Sequence, residues 1–181
     1  MALDRYVLLD RDGVINHDSD LFIKSPEEWQ PIPGSLEAIA LLNEHDFQVV
    51  VISNQSGLAR GLFDLAVLKQ IHAKMLQMVE EKGGNITAIY YCPHSPDDQC
   101  HCRKPKPGML ETFAREHRVD LRDTVLVGDS IVDVLAAQAA GAKPLLVKTG
   151  KGLKTLINHP DLNIPIFDNL YDAAKHITSR R

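Results

Sequence analysis

The sequence predicts an α/β protein built on a doubly wound parallel sheet. Apolar runs alternate with helical patterns along all 181 residues, the signature of repeated βαβ units. Two of those runs, Val49-Val50-Val51-Ile52 and Val125-Leu126-Val127, are apolar without alternation, as expected for strands covered on both faces. Polar residues capable of chemistry follow several runs directly, where an open sheet of this kind places its ligands.

The first strand spans residues 6–9 and ends on Asp10-Arg11-Asp12-Gly13. Residues 16–33 are polar and proline-containing, too long for an ordinary βα connection and too short for a domain, so they read as a functional loop. Within it Trp29 either lines a pocket or covers the sheet, and His17 reads as a solvated loop residue. A helix follows at 36–44 with Ser35 as its N-cap, then a strand at 48–53. The next helix covers 65–82 and stops at Gly83, with Leu68, Ile71, Met75 and Met78 on its core face. A third strand at 88–91 leads into residues 92–107, which hold four prolines and no helical period and read as a second functional loop. Helix 108–116, strand 124–127, helix 131–140 closed by Gly141, strand 144–148 and a short helix at 171–178 complete the order.

Length suits one domain spanning residues 1–181, and the 44% apolar and 24% charged fractions are ordinary for a globular chain. Net charge is −4 with the basic residues scattered, which argues against nucleic acid or an anionic membrane as partner. Met1-Ala2-Leu3-Asp4-Arg5 runs straight into the first strand without a signal sequence, and no apolar stretch approaches the ~20 residues that span a bilayer. The expectation is a cytoplasmic monomer acting on a small molecule.

The Asp10/Asp12 pair carries the first functional signal. Two carboxylates this close repel unless a cation or a shared proton separates them. Ser53-Asn54 ends the second strand, Lys104 lies beyond the third, and Gly128-Asp129 ends the fourth. Phosphoryl transfer to a carboxylate needs such a set. One aspartate attacks phosphorus, a second moves the proton, and Mg²⁺ offsets the charge between two anions. Lysine and hydroxyl or amide donors then hold the phosphoryl oxygens. A lone Asp-x-Asp or Gly-Asp is commonly only a solvated turn; four such elements in order, each after a strand, are far harder to obtain by chance.

All three cysteines lie in one short window, as Cys92-Pro93-His94 and Cys100-His101-Cys102. Alternate residues of an extended segment face the same way, so each arm offers two ligands and the two arms complete a tetrahedron. Cys92, His94, Cys100 and Cys102 thus make a structural Zn²⁺ set with no open position, and His101 points away between two ligands.

Asp10-Arg11-Asp12-Gly13, Ser53, Lys104 and Gly128-Asp129-Ser130 with Asp133 resemble the motifs of the haloacid dehalogenase (HAD) superfamily of phosphatases. The resemblance implies a HAD-like Rossmannoid fold with Asp10 as nucleophile and Asp12 as acid/base. It also implies Mg²⁺ on Asp10, Asp129 and the Asp12 backbone carbonyl, with Asp133 in support. No interval has room for a separate cap domain. Cys-Pro-His with Cys-His-Cys-Arg103-Lys104-Pro105 is further similar to the D-glycero-D-manno-heptose-1,7-bisphosphate 7-phosphatases and their relatives, the histidinol-phosphate phosphatases. Ser53-Asn54-Gln55-Ser56-Gly57-Leu58-Ala59-Arg60-Gly61 and Lys104-Pro105-Lys106-Pro107-Gly108-Met109 favour the heptose branch.

By that resemblance Asp18, Ser19, Asp20 and Leu21 contact the sugar, and Ser53, Asn54, Gln55 and Ser56 hold the phosphate. Arg60 and Arg103 recognise substrate, while Lys104 stabilises the phosphoryl group. The implied reaction is removal of the C7 phosphate of a heptose 1,7-bisphosphate on the way to nucleotide-activated heptose for lipopolysaccharide, with histidinol phosphate as the alternative substrate. Val14 stands where threonine is common, and Ser130 where some members carry lysine.

Overall fold

The computed structural model describes residues 4–180. Met1-Ala2-Leu3, read above as carrying no signal sequence, lies outside them. Six parallel strands form one sheet: β1 (Arg5–Leu9), β2 (Phe47–Asn54), β3 (Ala88–Cys92), β4 (Val125–Gly128), β5 (Lys143–Val147) and β6 (Ile166–Phe167). Their spatial order is β3-β2-β1-β4-β5-β6, so the chain reverses direction across the sheet between β1 and β4. The crevice at such a reversal, outside the carboxyl ends of the strands, is where doubly wound sheets bind ligands.

Strand alternation sorts the core into two layers. Val7, Leu9, Val49, Val51 and Val127 meet α1 (Ser35–Glu44), α2 (Leu65–Glu81) and α6 (Leu170–Ser179) on one face. Leu8, Val50, Ile52 and Leu126 meet α3 (Gly108–His117) and α4 (Ile131–Ala140) on the other. With both faces covered, the strands have no polar side to show, which explains their unbroken apolar runs. Between β1 and α1 the chain forms only a loop, so no cap domain intervenes. Among the described residues no helix is long and apolar enough to cross a membrane.

Besides two 3₁₀ turns, at Pro96–Asp98 and Leu121–Asp123, the structure adds α5 (Gly152–Asn158) and β6, which the pattern does not reveal. It also corrects the start of α1. Gly34, at φ 88°, is the N-cap, whereas Ser35 is buried inside the helix and donates its Oγ–H to Val14 O at 2.8 Å. Ser35 therefore ties the long loop to the helix rather than capping it. Trp29 is wholly buried in the core, and Lys74 of α2 donates to its carbonyl at 2.7 Å, so it covers the sheet and is not among the residues lining the cleft over the strand ends.

Candidate active site

Asp10 continues β1 by one residue, its N–H donating to Val127 O of β4 at 3.0 Å. Its Oδ1 accepts from the Arg11 N–H at 2.8 Å and lies 3.1 Å from Lys104 Nζ. The turn that follows is tightened by Gly13 at φ 84°, where a Cβ would strike the Asp129 carboxylate. Asp12 then turns back into the crevice, with Oδ1 taking bonds from Arg11 Nε and Asn16 Nδ2, both at 2.9 Å.

Lys104 crosses from the loop after β3 and is only 1% exposed. Its ammonium donates to Ile52 O at 2.8 Å and Asp133 Oδ1 at 2.6 Å besides facing Asp10. The Asn54 amide fixes the Lys104 backbone from both sides, donating to its carbonyl and accepting from its N–H, each at 3.0 Å. Asp133 caps α4, its Oδ2 accepting from the N–H groups of Asp129 and Ser130 at 3.1 and 3.2 Å. Asp129 in turn accepts from the Lys151 N–H at 2.8 Å, which brings the start of α5 into the site.

Electrostatics follow from this crowding. Burial, and then Asp133, push Asp10 well above the usual carboxylate range against the pull of Lys104. Burial and Asp133 likewise raise Asp129 to about 7. Burial disfavours the Lys104 ammonium, but Asp10 and Asp133 outweigh it and hold the proton more firmly than usual. Asp12 behaves oppositely: burial would raise it, but Arg11, Asn16 and Gln55 bring it below its ordinary value. One ammonium thus faces the carboxylates of Asp10, Asp129 and Asp133, whose oxygens lie within 4.8 Å of one another. A clustered, under-compensated set of hard oxygen donors fits a divalent cation such as Mg²⁺.

A cleft of about 490 Å³ opens over these groups. Of the sequence-predicted residues, Asp10, Asp12, Asp18, Ser19, Asp20, Asn54, Gln55, Ser56, Arg103, Lys104 and Asp129 line it. Ser53 does not; it is buried below, where its Oγ accepts from Gln55 Nε2 at 2.8 Å. Leu21 is 74% exposed and is not among the cleft-lining residues; nor is Arg60, which sits 5.6 Å over the ring of Phe22, a residue that does line the cleft. Sequence reading missed the opposite wall, Lys151 and Lys154 of the α5 segment. The signal available there was the Gly150-Lys151-Gly152 step just beyond a strand end.

Cys92, His94, Cys100 and Cys102 gather beside the cleft, with ligand atoms within 4.8 Å of one another. Sγ of Cys92 lies 3.6 Å from Cys100 Sγ and 3.4 Å from His94 Nδ1, which lies 3.3 Å from Cys102 Sγ. Cys102 Sγ lies 2.8 Å from Cys92 Sγ. Tetrahedral Zn–S bonds of ~2.3 Å place ligand atoms about 3.8 Å apart, so the four groups converge as a Cys₃His zinc set does, but more tightly than in a loaded cage. Burial raises the Cys92 thiol; burial also acts on Cys100, but the Arg103 N–H and the neighbouring cysteines bring it down to about 6. His101 is exposed, outside the cluster.

Comparison with known proteins agrees with this geometry. A HAD-hydrolase-like family profile matches residues 101–173. The chain is 54% identical over 168 residues to the D-glycero-beta-D-manno-heptose-1,7-bisphosphate 7-phosphatase of Pseudomonas aeruginosa, covering 93% of this chain and 94% of that protein. It is 56% identical over 152 residues to the protein of the same name from Bordetella bronchiseptica, covering 84% and 85%. A crystal structure of the D,D-heptose 1,7-bisphosphate phosphatase from B. bronchiseptica, complexed with magnesium and phosphate, superposes with a TM-score of 0.95 at 49% identity, covering 98% of this chain and 99% of that one. The chain belongs to the D-glycero-β-D-manno-heptose-1,7-bisphosphate 7-phosphatase family of HAD phosphatases.

Proposed function

We propose that this chain, acting as one domain, is a Mg²⁺-dependent phosphoric monoester hydrolase. It removes the C7 phosphate of D-glycero-D-manno-heptose 1,7-bisphosphate through an aspartyl-phosphate intermediate, on the route to nucleotide-activated heptose for lipopolysaccharide. The observation that carries the reading is the meeting of Asp10, Lys104 and Asp129 at the β1/β4 crevice. The relatives' names support the substrate and favour its β anomer.

Asp10 is the nucleophile, its Oδ1 steadied by the Arg11 N–H and Lys104. Asp12 protonates the leaving alkoxide and then deprotonates the water that hydrolyses the intermediate. Lys104, Asn54, Gln55 and Ser56 surround the transferring phosphoryl group, with Ser53 beneath them. Asp10, Asp129 and the Asp12 carbonyl are the Mg²⁺ ligands, with Asp133 orienting Asp129; the bound ion supplies charge neutralisation between nucleophile and phosphate. Zn²⁺ on Cys92, His94, Cys100 and Cys102 fixes the loop that delivers Arg103 and Lys104.

The cleft also supports a doubly phosphorylated substrate. Lys104 is committed to Asp10 and Asp133, yet Arg103 and Lys154 also line the cleft, with no carboxylate in ion-pair range among the described residues. They suit a second phosphate and repel the ammonium of histidinol phosphate. The sugar rests against Asp18, Ser19 and Asp20. Monomeric action in the cytoplasm, without nucleic-acid or membrane partners, completes the reading. Its test is a comparison of kcat/KM for both anomers of the heptose 1,7-bisphosphate and for histidinol phosphate. The heptose substrate wins by a wide margin if the reading is right; a preference for histidinol phosphate overturns it.

A further inference from the structure

Arg11 lies between the two catalytic aspartates in sequence, yet its side chain is wholly buried. The guanidinium reaches inward to α2, where Nη1 lies 3.2 Å from His72 Nε2. Arginine has no acceptor, so Nη1 donates and His72 accepts through an unprotonated Nε2. Burial and the adjacent Arg11 cation bring His72 down to about 4, consistent with a neutral ring. At its near end the guanidinium donates from Nε to Asp12 Oδ1 at 2.9 Å, and Asn16 Nδ2 donates to the same oxygen at 2.9 Å. Asp12 Oδ2 receives a single, longer bond from Gln55 Nε2 at 3.3 Å. The two oxygens of one carboxylate are therefore unequal: Oδ1 is saturated by two short donors, one of them charged, and Oδ2 is nearly free.

We infer that Arg11 and His72 form a buried strut that positions Asp12 and assigns the travelling proton to its Oδ2. This rests on the acid/base role given to Asp12 above. The free site favours the ionised Asp12; a phosphate dianion bound beside it offsets Arg11, and Oδ2 takes up the proton with the substrate. In the first step, Asp10 forms its bond to phosphorus as the bond to the C7 oxygen breaks, and the proton on Asp12 Oδ2 passes to that oxygen. In the second, water attacks phosphorus and gives a proton to Oδ2 while the Asp10–phosphorus link breaks, so Asp12 ends as it began. Throughout, Oδ1 stays on Arg11 and Asn16 and the carboxyl cannot rotate away. Lysine at position 11 would fail as a strut, having one nitrogen where the guanidinium spans two partners.

Leaving groups separate positioning from mere structure. An alkoxide needs the proton, whereas p-nitrophenolate departs without it. Single-turnover rapid-quench measurements of the first step, at saturating Mg²⁺, compare the heptose bisphosphate with p-nitrophenyl phosphate. His72→Leu should slow the alkyl ester roughly ten-fold or more and the aryl ester by less than about two-fold, a part of the 10²–10⁴ that general acids supply. His72→Gln, which restores an acceptor, should recover most of the loss, and Arg11→Lys should repeat the His72→Leu signature. Equal slowing of both esters, or no slowing of either, overturns the strut. Equal slowing by Asp12→Asn instead overturns the acid role itself, so the two failures are distinguishable.

Discussion

Replacing Asn54 with alanine probes how the strand ends hold the Lys104 ammonium beside Asp10. Asn54 closes β2 and its amide makes two bonds of 3.0 Å to the backbone of Lys104, fifty residues away. Neutral hydrogen bonds contribute about 1 kcal/mol each, so Asn54→Ala should destabilise the fold by about 2 kcal/mol, with both Lys104 groups losing a partner. At a urea m-value of ~2 kcal/mol/M, the unfolding midpoint falls by about 1 M. The catalytic effect is larger in proportion. Lys104 is poised at 3.1 Å from Asp10 and 2.6 Å from Asp133, and misplacement by ~1 Å costs up to about 10²-fold. Urea titration and steady-state kinetics on the heptose bisphosphate read both effects. The reasoning requires kcat to fall while KM changes less. A raised KM with unchanged kcat and stability would refute it, leaving Asn54 only its contact with the phosphoryl group.

Lys154→Ala should raise KM for the heptose 1,7-bisphosphate several-fold and leave a heptose 7-monophosphate unaffected; equal effects on both would remove Lys154 from the second-phosphate wall. Purified protein should carry one Zn²⁺ per chain by elemental analysis, and Cys100→Ser should lose it together with about ten-fold or more of the activity, not restored by excess Mg²⁺, because Arg103 and Lys104 lose their anchor. Asp129 gives a pH signature in metal-free protein. Its folded value of about 7 stands above the ordinary 3.8, so the folded state holds the proton more tightly, and the stability this confers is present below about pH 4 and lost as pH rises towards 7. Mg²⁺, which competes with that proton, should bind more tightly across the same rise; calorimetric titration at several pH values checks the sign.

Much of this architecture was legible because strand burial writes itself into sequence. Val49 to Ile52 must be apolar throughout when α1 and α2 cover one face and α3 and α4 the other. The carboxylates were legible for a related reason: Asp10, Asp12 and Asp129 fall directly after such runs. The wall built by α5 was not. Seven residues form that helix; its buried positions are Gly152 and Thr155, while Leu153 and Ile157 are 59% and 78% exposed, so burial there imprints no apolar period. β6 has two residues and leaves still less trace. Ser35 misled because a serine before an apolar run has the look of a cap, whereas the loop above it needed a donor for Val14 O. Partnerships across long separations, such as Arg11 with His72 and Asn54 with Lys104, leave no periodic signal and required the folded chain.

The central claim is that Asp10 itself accepts the phosphoryl group. Milliseconds after mixing Mg²⁺-loaded protein with the heptose 1,7-bisphosphate, acid quench and peptic digestion should yield the Asp10-containing peptide bearing one added phosphoryl group. The account predicts that adduct in the unaltered protein and its absence in Asp10→Asn. Phosphate release with no adduct at any time, or an Asp10→Asn protein as active as the parent, would contradict it.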